Sequence, residues 1–296
     1  MELAIHTWMR SEPLEHAIRR AAAAGVTALE IAGEPERHVP ANVAPMLKAA
    51  GMRCFGGVTL MMEGRSLITA DANRRAKSVQ YVKDCVSLVS DLGGVELSVV
   101  PATVGQIVPE GRPEDEWRWA IDSLSECMEH ARPRGVTIAI EPINRFETYF
   151  INRADQAIAL AEAVGPDVGV CLDLFHMNIE EDDVLAALRR AGSRLVDVHV
   201  ADNNRMPPGM GSLDWRTIVS TLQDMNYDGP LSIEFCAPVD RTPANPHPGS
   251  LDENPENVSP EDRKFIEDHG SNLLSESFYT ELVNTSAKTL LPLIGR

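Results

Sequence analysis

Four side chains that bind hard metal ions stand at or near the ends of short apolar runs. Glu141 closes IAIE, Asp173 closes VCLD, His199 lies in VDVHV and Glu234 closes LSIE. Each run follows a glycine and is apolar nearly throughout, the pattern of a parallel strand buried on both faces. Parallel strands lying side by side bring donors at their carboxyl ends to one point. A buried carboxylate is costly to desolvate unless it is paired or bound to a cation. Three carboxylates and one imidazole converging from consecutive strands therefore point to a divalent-metal site, although any one of them alone could be a helix cap or a surface charge. The oxygen-rich set with one nitrogen suits a single Mn²⁺, with Mg²⁺ or Co²⁺ as alternatives, better than a thiolate-rich zinc site.

Polar residues at short offsets from these donors form a candidate substrate shell. EPINRFE carries Asn144, Arg145 and Glu147 just after Glu141, and DLFH carries His176 three residues beyond Asp173. HVADNNRMPPGMG carries Arg205 six residues beyond His199, in a loop whose glycines permit close backbone approach. Arg145 and Arg205 are each either substrate contacts or carboxylate partners. His6 ends the opening run and could face the same point, although a lone histidine in an apolar strand is usually packed in the core. His16, His38 and His130 have no comparable context and read as surface residues.

Repeated strand–helix units must position these groups. A glycine precedes an apolar run in AAGVTALEI, AAGMRCFGGV, LGGVELSVV, RGVTIAIE, VGPDVGVCLD, AGSRLVDVHV and DGPLSIE. Each follows a stretch of helical character. In 72–92, Val79, Val82, Val86 and Val89 recur on one face of a helix that Gly93-Gly94 stops. With the opening ELAIHTW there are eight strands, and helices are expected near 13–24, 42–50, 72–92, 114–131, 154–164, 181–191, 213–225 and 271–292. Eight such units in 296 residues predict a single (β/α)8 barrel, an α/β fold spanning residues 1–296. A doubly wound sheet would show a glycine-rich phosphate fingerprint after its first strand, and none is present. In a barrel, Glu141, Asp173, His199 and Glu234 would end strands five to eight, at the face where active sites form.

Residues 236–270 break the rhythm, with six prolines, many polar residues and no strong periodicity. A loop that long in a compact domain is usually functional or disordered. Because it follows the strand bearing Glu234, it is expected to be a lid over the active face, or an interface for a second copy or a partner subunit, ahead of the last helix.

Composition excludes other classes. With 27 basic and 44 acidic residues the net charge is −17, opposite to what phosphate neutralisation by a nucleic-acid binder needs. The five cysteines are scattered, odd in number and never paired as CxxC, consistent with free thiols in a reducing compartment. No segment reads as a secretory signal or a membrane span, so the expected location is the cytoplasm, with no membrane partner.

EPINRFET, DLFHMNIEED and HVADNNRMPPGMGSLDW followed by SIEF resemble the xylose isomerase-like barrel superfamily, and within it the ketose 3-epimerases of the tagatose/allulose type and related keto-sugar epimerases. The resemblance is strongest over about 136–235. It implies that Glu141, Asp173, His199 and Glu234 bind the metal, that Glu141 and Glu234 are also the acid–base pair, and that Glu147, His176 and Arg205 hold substrate oxygens. The implied activity is isomerase chemistry on a sugar or keto-sugar: removal of the proton next to a ketone, an enediolate stabilised by the cation, and return of a proton to the opposite face. Residues 236–270 depart from the sugar epimerases, whose corresponding connection is shorter and less proline-rich. A larger substrate would suit that departure, so elimination from a 3-keto-glycoside on the same site is the alternative reading. A DNA-repair endonuclease of the AP-endonuclease type would need more histidine ligands and a basic face. A non-catalytic scaffold barrel would lack an acid–base residue, and none is missing.

Overall fold

Eight parallel strands close into a barrel in sequence order in the computed structural model. They are β1 (Glu2–His6), β2 (Ala28–Ala32), β3 (Arg53–Val58), β4 (Glu96–Val99), β5 (Thr137–Ile140), β6 (Gly169–Asp173), β7 (Leu195–Val200) and β8 (Pro230–Ile233). The structure describes residues 1–62, 64–251, 258–271 and 274–295. The barrel closes where β1 pairs with β8, Ile5 standing opposite Ile233.

The helices between strands are α1 (Leu14–Ala23), α2 (Pro40–Ala50), α3 (Ala72–Asp91), α4 (Pro113–Ala131), α5 (Ala154–Val164), α6 (Leu174–Glu180), α7 (Val184–Ala191) and α8 (Trp215–Asp224); α9 (Pro260–His269) and α10 (Glu276–Ile294) follow β8. The (β/α)8 expectation is met. Local chemistry explains where the helices begin and stop. The Asp71 carboxylate caps α3 by accepting from the backbone N–H groups of Asn73 and Arg74, and Val79, Val82, Val86 and Val89 bury the predicted stripe. That stripe meets strand residues such as Leu97, Ile138, Leu172 and Leu231 in one continuous apolar layer between sheet and helices. Inside the barrel, at its amino-terminal end, Ala4, Ala28 and Phe55 form a small separate apolar plug.

Three features differ from the expectation. The helix α6 lies outside the expected set, its start capped by the Asp173 carboxylate. Part of 236–270 is helical: Ser259 caps α9 by accepting from Asp262 N, Pro260 takes its first turn with Glu261 and Asp262, and Gly270 at φ 63° ends it. Only Phe265 and His269 are buried on this helix, which is too few to produce a readable periodicity. Residues 252–257 of the segment lie outside the described residues. His38 is buried rather than a surface residue, its Nε2 standing 3.5 Å from Glu34 Oε2, because the loop after β2 folds under α9. Ser11 Oγ donates to Asp262 Oδ1 at 2.6 Å, His269 Nε2 lies 3.3 Å from Glu34 Oε1, and the Arg37 guanidinium covers the Phe265 ring at 4.9 Å. Of the other two, His16 is exposed and His130 is half-buried against Ser87.

Candidate active site

Backbone pairing carries the four strand-end donors to one layer. Glu141 N donates to Val99 O and Glu234 N to Val200 O, which extends β5 and β8 by one residue, while Asp173 stands opposite His199 in the β6–β7 ladder. The side chains converge: His199 Nδ1 is 3.1 Å from Glu141 Oε1 and 3.3 Å from Glu234 Oε2. Asp173 uses one oxygen to cap α6 through Phe175 N at 2.8 Å. Its other oxygen, and Glu234 Oε2, are buried with no hydrogen-bond partner among the described residues. Two orphaned carboxylate oxygens beside a third carboxylate and an imidazole fit a divalent cation, which would satisfy them.

The charges follow from this crowding. Burial pushes the Asp173 carboxyl well above its ordinary range, and the Glu234 charge pushes the same way. Glu234 is also buried, yet the cationic His199 and Arg205 beside it outweigh that and hold it well below the carboxylate range. His199 is desolvated, but the acidic groups around it lift its imidazole well above the usual value. Its Nε2 faces down into the barrel, 3.3 Å from Glu30 Oε1 and 3.5 Å from Asp197 Oδ2, so acids hold the ring at both nitrogens.

The substrate-shell candidates divide. His176 sits on α6, and its Nδ1 accepts from the Asn144 backbone N–H at 3.2 Å and lies 2.8 Å from Asn144 Nδ2. The shorter Asn144 contacts favour Nδ1 as the acceptor and the proton on Nε2, which stands 3.4 Å from both Asp173 Oδ2 and Arg205 Nη1. Burial holds this imidazole well below its usual pKa, so the ring stays neutral. Arg205 reaches the same space, its guanidinium 3.9 Å from Glu234 Oε2, 3.6 Å from Glu147 Oε1 and stacked 4.6 Å from the Phe175 ring centroid. Glu147 Oε1 accepts from Asn144 Nδ2 at 2.7 Å. Arg145 does not join them; its exposed side chain forms a forked pair with Glu180 at 2.7–3.1 Å, a scaffold role. His6 does join: its ring lies edge-on to His199 at 4.5 Å, with Nε2 3.9 Å from Glu234 Oε1. Burial lowers its pKa to about 3, so it is neutral.

Several residues of the site carry no sequence signal. Trp8 Nε1 donates to Glu234 Oε1 at 3.2 Å, and Ser98 Oγ donates to Glu141 Oε2 at 3.0 Å. Asp202, fully buried, accepts from the backbone N–H groups of Asn203, Gly209 and Leu213 and from Trp215 Nε1, all at 2.9–3.0 Å. It thereby pins the loop in which Arg205 adopts the left-handed φ of 57°. The DNN stretch gave one clue, since Asx residues organise turns.

Part of this constellation lines a cavity of about 350 Å³, at the small end of ligand pockets, which span roughly 300–1,000 Å³. Glu141, Glu147, His176, Arg205 and Glu234 form its polar side, and Trp8, Met61, Val100 and Phe175 its apolar side. His269 and Gly270, from the end of α9, complete the wall.

A family model described as the xylose isomerase-like TIM barrel matches residues 18–269. The chain is 31% identical over 228 residues to a D-psicose 3-epimerase of Ruminiclostridium cellulolyticum, covering 73% of this chain and 76% of that one. It is 34% identical over 167 residues to an L-ribulose 3-epimerase of Mesorhizobium japonicum, covering 56% of each, so it spans little more than half the length of that relative. The structure of a D-allulose 3-epimerase from Methylomonas sp. superposes with a TM-score of 0.82 at 23% identity, over 99% of this chain and 98% of that one, which is a likeness of fold. The chain belongs to the xylose isomerase-like TIM-barrel family, among relatives that are ketose 3-epimerases.

Proposed function

We propose that this protein is a divalent-metal-dependent epimerase that inverts the carbon next to the ketone of a free ketose, with Glu141 and Glu234 as its acid–base pair. The observation that carries the proposal is the approach of both glutamates, from β5 and β8, to the same nitrogen of the buried His199 at 3.1 and 3.3 Å while both line the cavity. Glu141, Asp173, His199 and Glu234 would hold the cation, Mn²⁺ by the balance of oxygen and nitrogen donors, with Mg²⁺ or Co²⁺ as alternatives. Bound there, it would supply Lewis-acid polarisation of the ketone oxygen and its neighbouring hydroxyl.

The chain's own residues perform the proton transfers. Breaking the C–H bond sends its electron pair toward the ketone oxygen, leaving an enediolate. Glu234 takes the proton, because His199 and Arg205 keep it ionised and Trp8 holds its Oε1. Glu141 returns a proton to the opposite face of the carbon, its Oε2 held by Ser98. The neutral His176, with Nε2–H turned inward, and the Arg205 guanidinium face the substrate oxygens, while Glu147 accepts from a hydroxyl. Both protons exchange with solvent between turnovers. A cavity of about 350 Å³ walled by His269 and Gly270 suits a monosaccharide better than a glycoside with its aglycone. In this reading the 236–270 segment is the wall that limits substrate length.

The test is proton exchange in D₂O, followed by NMR with Mn²⁺-loaded protein on a panel of free ketoses and 3-keto-glycosides, beside a chelated control. Metal-dependent deuterium at the carbon next to the ketone of a free ketose, with appearance of its epimer and loss of both in Glu234→Gln, is expected. Full activity in Glu234→Gln, or no exchange across the panel with metal bound, overturns the assignment.

A further inference from the structure

Beneath the strand-end donors the barrel interior carries a second group of acids. TIM-barrel interiors are filled by layers of mostly branched apolar side chains. Here Glu30 of β2, Glu96 of β4 and Asp197 of β7 point inward together, each at most 1% exposed. Each brings an oxygen within 4.8 Å of the other two. Hard cations hold oxygen ligands at about 2.0–2.6 Å, so ligand atoms across one ion stand roughly 4–5 Å apart. The spacing matches.

The hydrogen bonding supplies an independent indication. Among the described residues both oxygens of Glu96 are buried without a hydrogen-bond partner, and so is Glu30 Oε2, which lies 3.2 Å from His6 Nε2 without hydrogen-bond geometry. Glu30 Oε1 faces His199 Nε2, and Asp197 Oδ1 is held by Val198 N at 2.6 Å and Ser232 Oγ at 2.9 Å. The Glu96 carboxylate is packed against the backbone of β3, where a Cβ on Gly56 would come within 2.6 Å of its Oε2. The charges acting most strongly on Glu96 are Glu30, Asp197, Glu141 and the His199 imidazole, with no lysine or arginine among them. A cavity of about 700 Å³ at the amino-terminal mouth of the barrel, lined by Phe55, Glu96, Thr137 and Tyr227, reaches Glu96.

We infer that Glu30, Glu96 and Asp197 form a second cation site, distinct from the strand-end site and taking a hard divalent ion such as Mn²⁺ or Mg²⁺. All three donors are oxygens, which favours these ions over zinc or copper. The ion offsets three buried negative charges and holds Glu30 against His199 Nε2, on the side of the ring away from the substrate cavity.

The experiment counts metal. Chelator-stripped protein is dialysed against Mn²⁺ at high ionic strength, which screens the surface acids, and bound manganese per chain is measured by mass spectrometry for the wild type, Glu96→Gln and Asp173→Asn. Two ions in the wild type and one in each variant are expected, with Glu96→Gln keeping its strand-end ion. A wild-type count of one that Asp173→Asn abolishes, or a Glu96→Gln count equal to wild type, overturns the inference and leaves the three acids protonated. The wild-type count decides the matter even if Glu96→Gln fails to fold.

Discussion

Replacing Asp202 by Asn probes how the protein holds Arg205 in the cavity. The carboxylate receives four donors, two on each oxygen: Asn203 N and Leu213 N on Oδ1, Gly209 N and Trp215 Nε1 on Oδ2. An amide keeps one oxygen and turns the other into a donor, so two of the four lose their acceptor whichever way the side chain lies. A buried unpaired donor costs about 1–3 kcal/mol, which puts the loss at about 2–6 kcal/mol against a total stability of about 5–15 kcal/mol. The loop has no room to relax, since a Cβ at Gly211 would lie 2.1 Å from Asp202 Oδ1. Arg205 adds to the effect: a non-glycine residue at left-handed φ costs about 1–3 kcal/mol and persists only where its surroundings enforce it. Asp202→Asn is therefore expected to lower the urea midpoint substantially. In the protein that remains folded it raises KM more than it lowers kcat, because the guanidinium that faces the substrate is no longer held. Near-UV circular dichroism in urea and the NMR exchange assay read the two effects. An unfolding free energy within about 0.5 kcal/mol of wild type, the range of an ordinary surface substitution, would refute the reasoning.

Two further perturbations test the electrostatics. Trp8→Phe removes the N–H that stabilises ionised Glu234, so the Glu234 pKa rises, the acid limb of the kcat/KM profile moves to higher pH, and kcat/KM below it falls by about 10- to 150-fold, the value of one hydrogen bond to a charged group at about 1.5–3 kcal/mol; an unmoved limb would contradict the role given to Glu234. Glu34 is partly desolvated, yet the His269 and His38 imidazoles, 3.3 and 3.5 Å from its oxygens, bring its carboxyl well below the ordinary range. A depressed carboxylate contributes stability that is fully present above its unfolded pKa of about 4.3 and is lost as pH falls toward the folded value. Thermal unfolding of Glu34→Gln should thus fall below wild type at neutral pH, with the gap closing below about pH 4, and a gap that widens on acidification would show that the Glu34 carboxylate does not anchor α9.

How much of this was readable in the chain depended on whether a residue carries its own local signal. Glu141, Asp173, His199 and Glu234 were legible because each stands at or near the end of a glycine-led apolar run, and parallel strands in sequence order bring such ends together. His176, Glu147 and Arg205 followed as neighbours of those donors. The helix α9 was not legible, because a ten-residue helix burying only Phe265 and His269 leaves no periodicity for a sequence to display. His38 read as a surface residue because its neighbour Glu34 and the helix that covers them are separated by more than 200 positions in the chain.

The local pattern of apolar runs, glycine stops and helix caps therefore determined the eight units, their order and the donors at their ends. Closure of the barrel decided the rest. Glu30, Glu96 and Asp197 sit inside runs that read as ordinary buried strand, and a strand buried on both faces does not reveal in its sequence which face turns inward. Register shifts beside Glu30, between β2 and β3, and beside Asp197, between β6 and β7, alter the simple alternation at those points. Only when β1 pairs with β8 do His6, Glu30, Glu96 and Asp197 come to share the interior with His199. Their contacts are set by how eight strands are staggered around the barrel, a property of the whole sheet that no single segment contains.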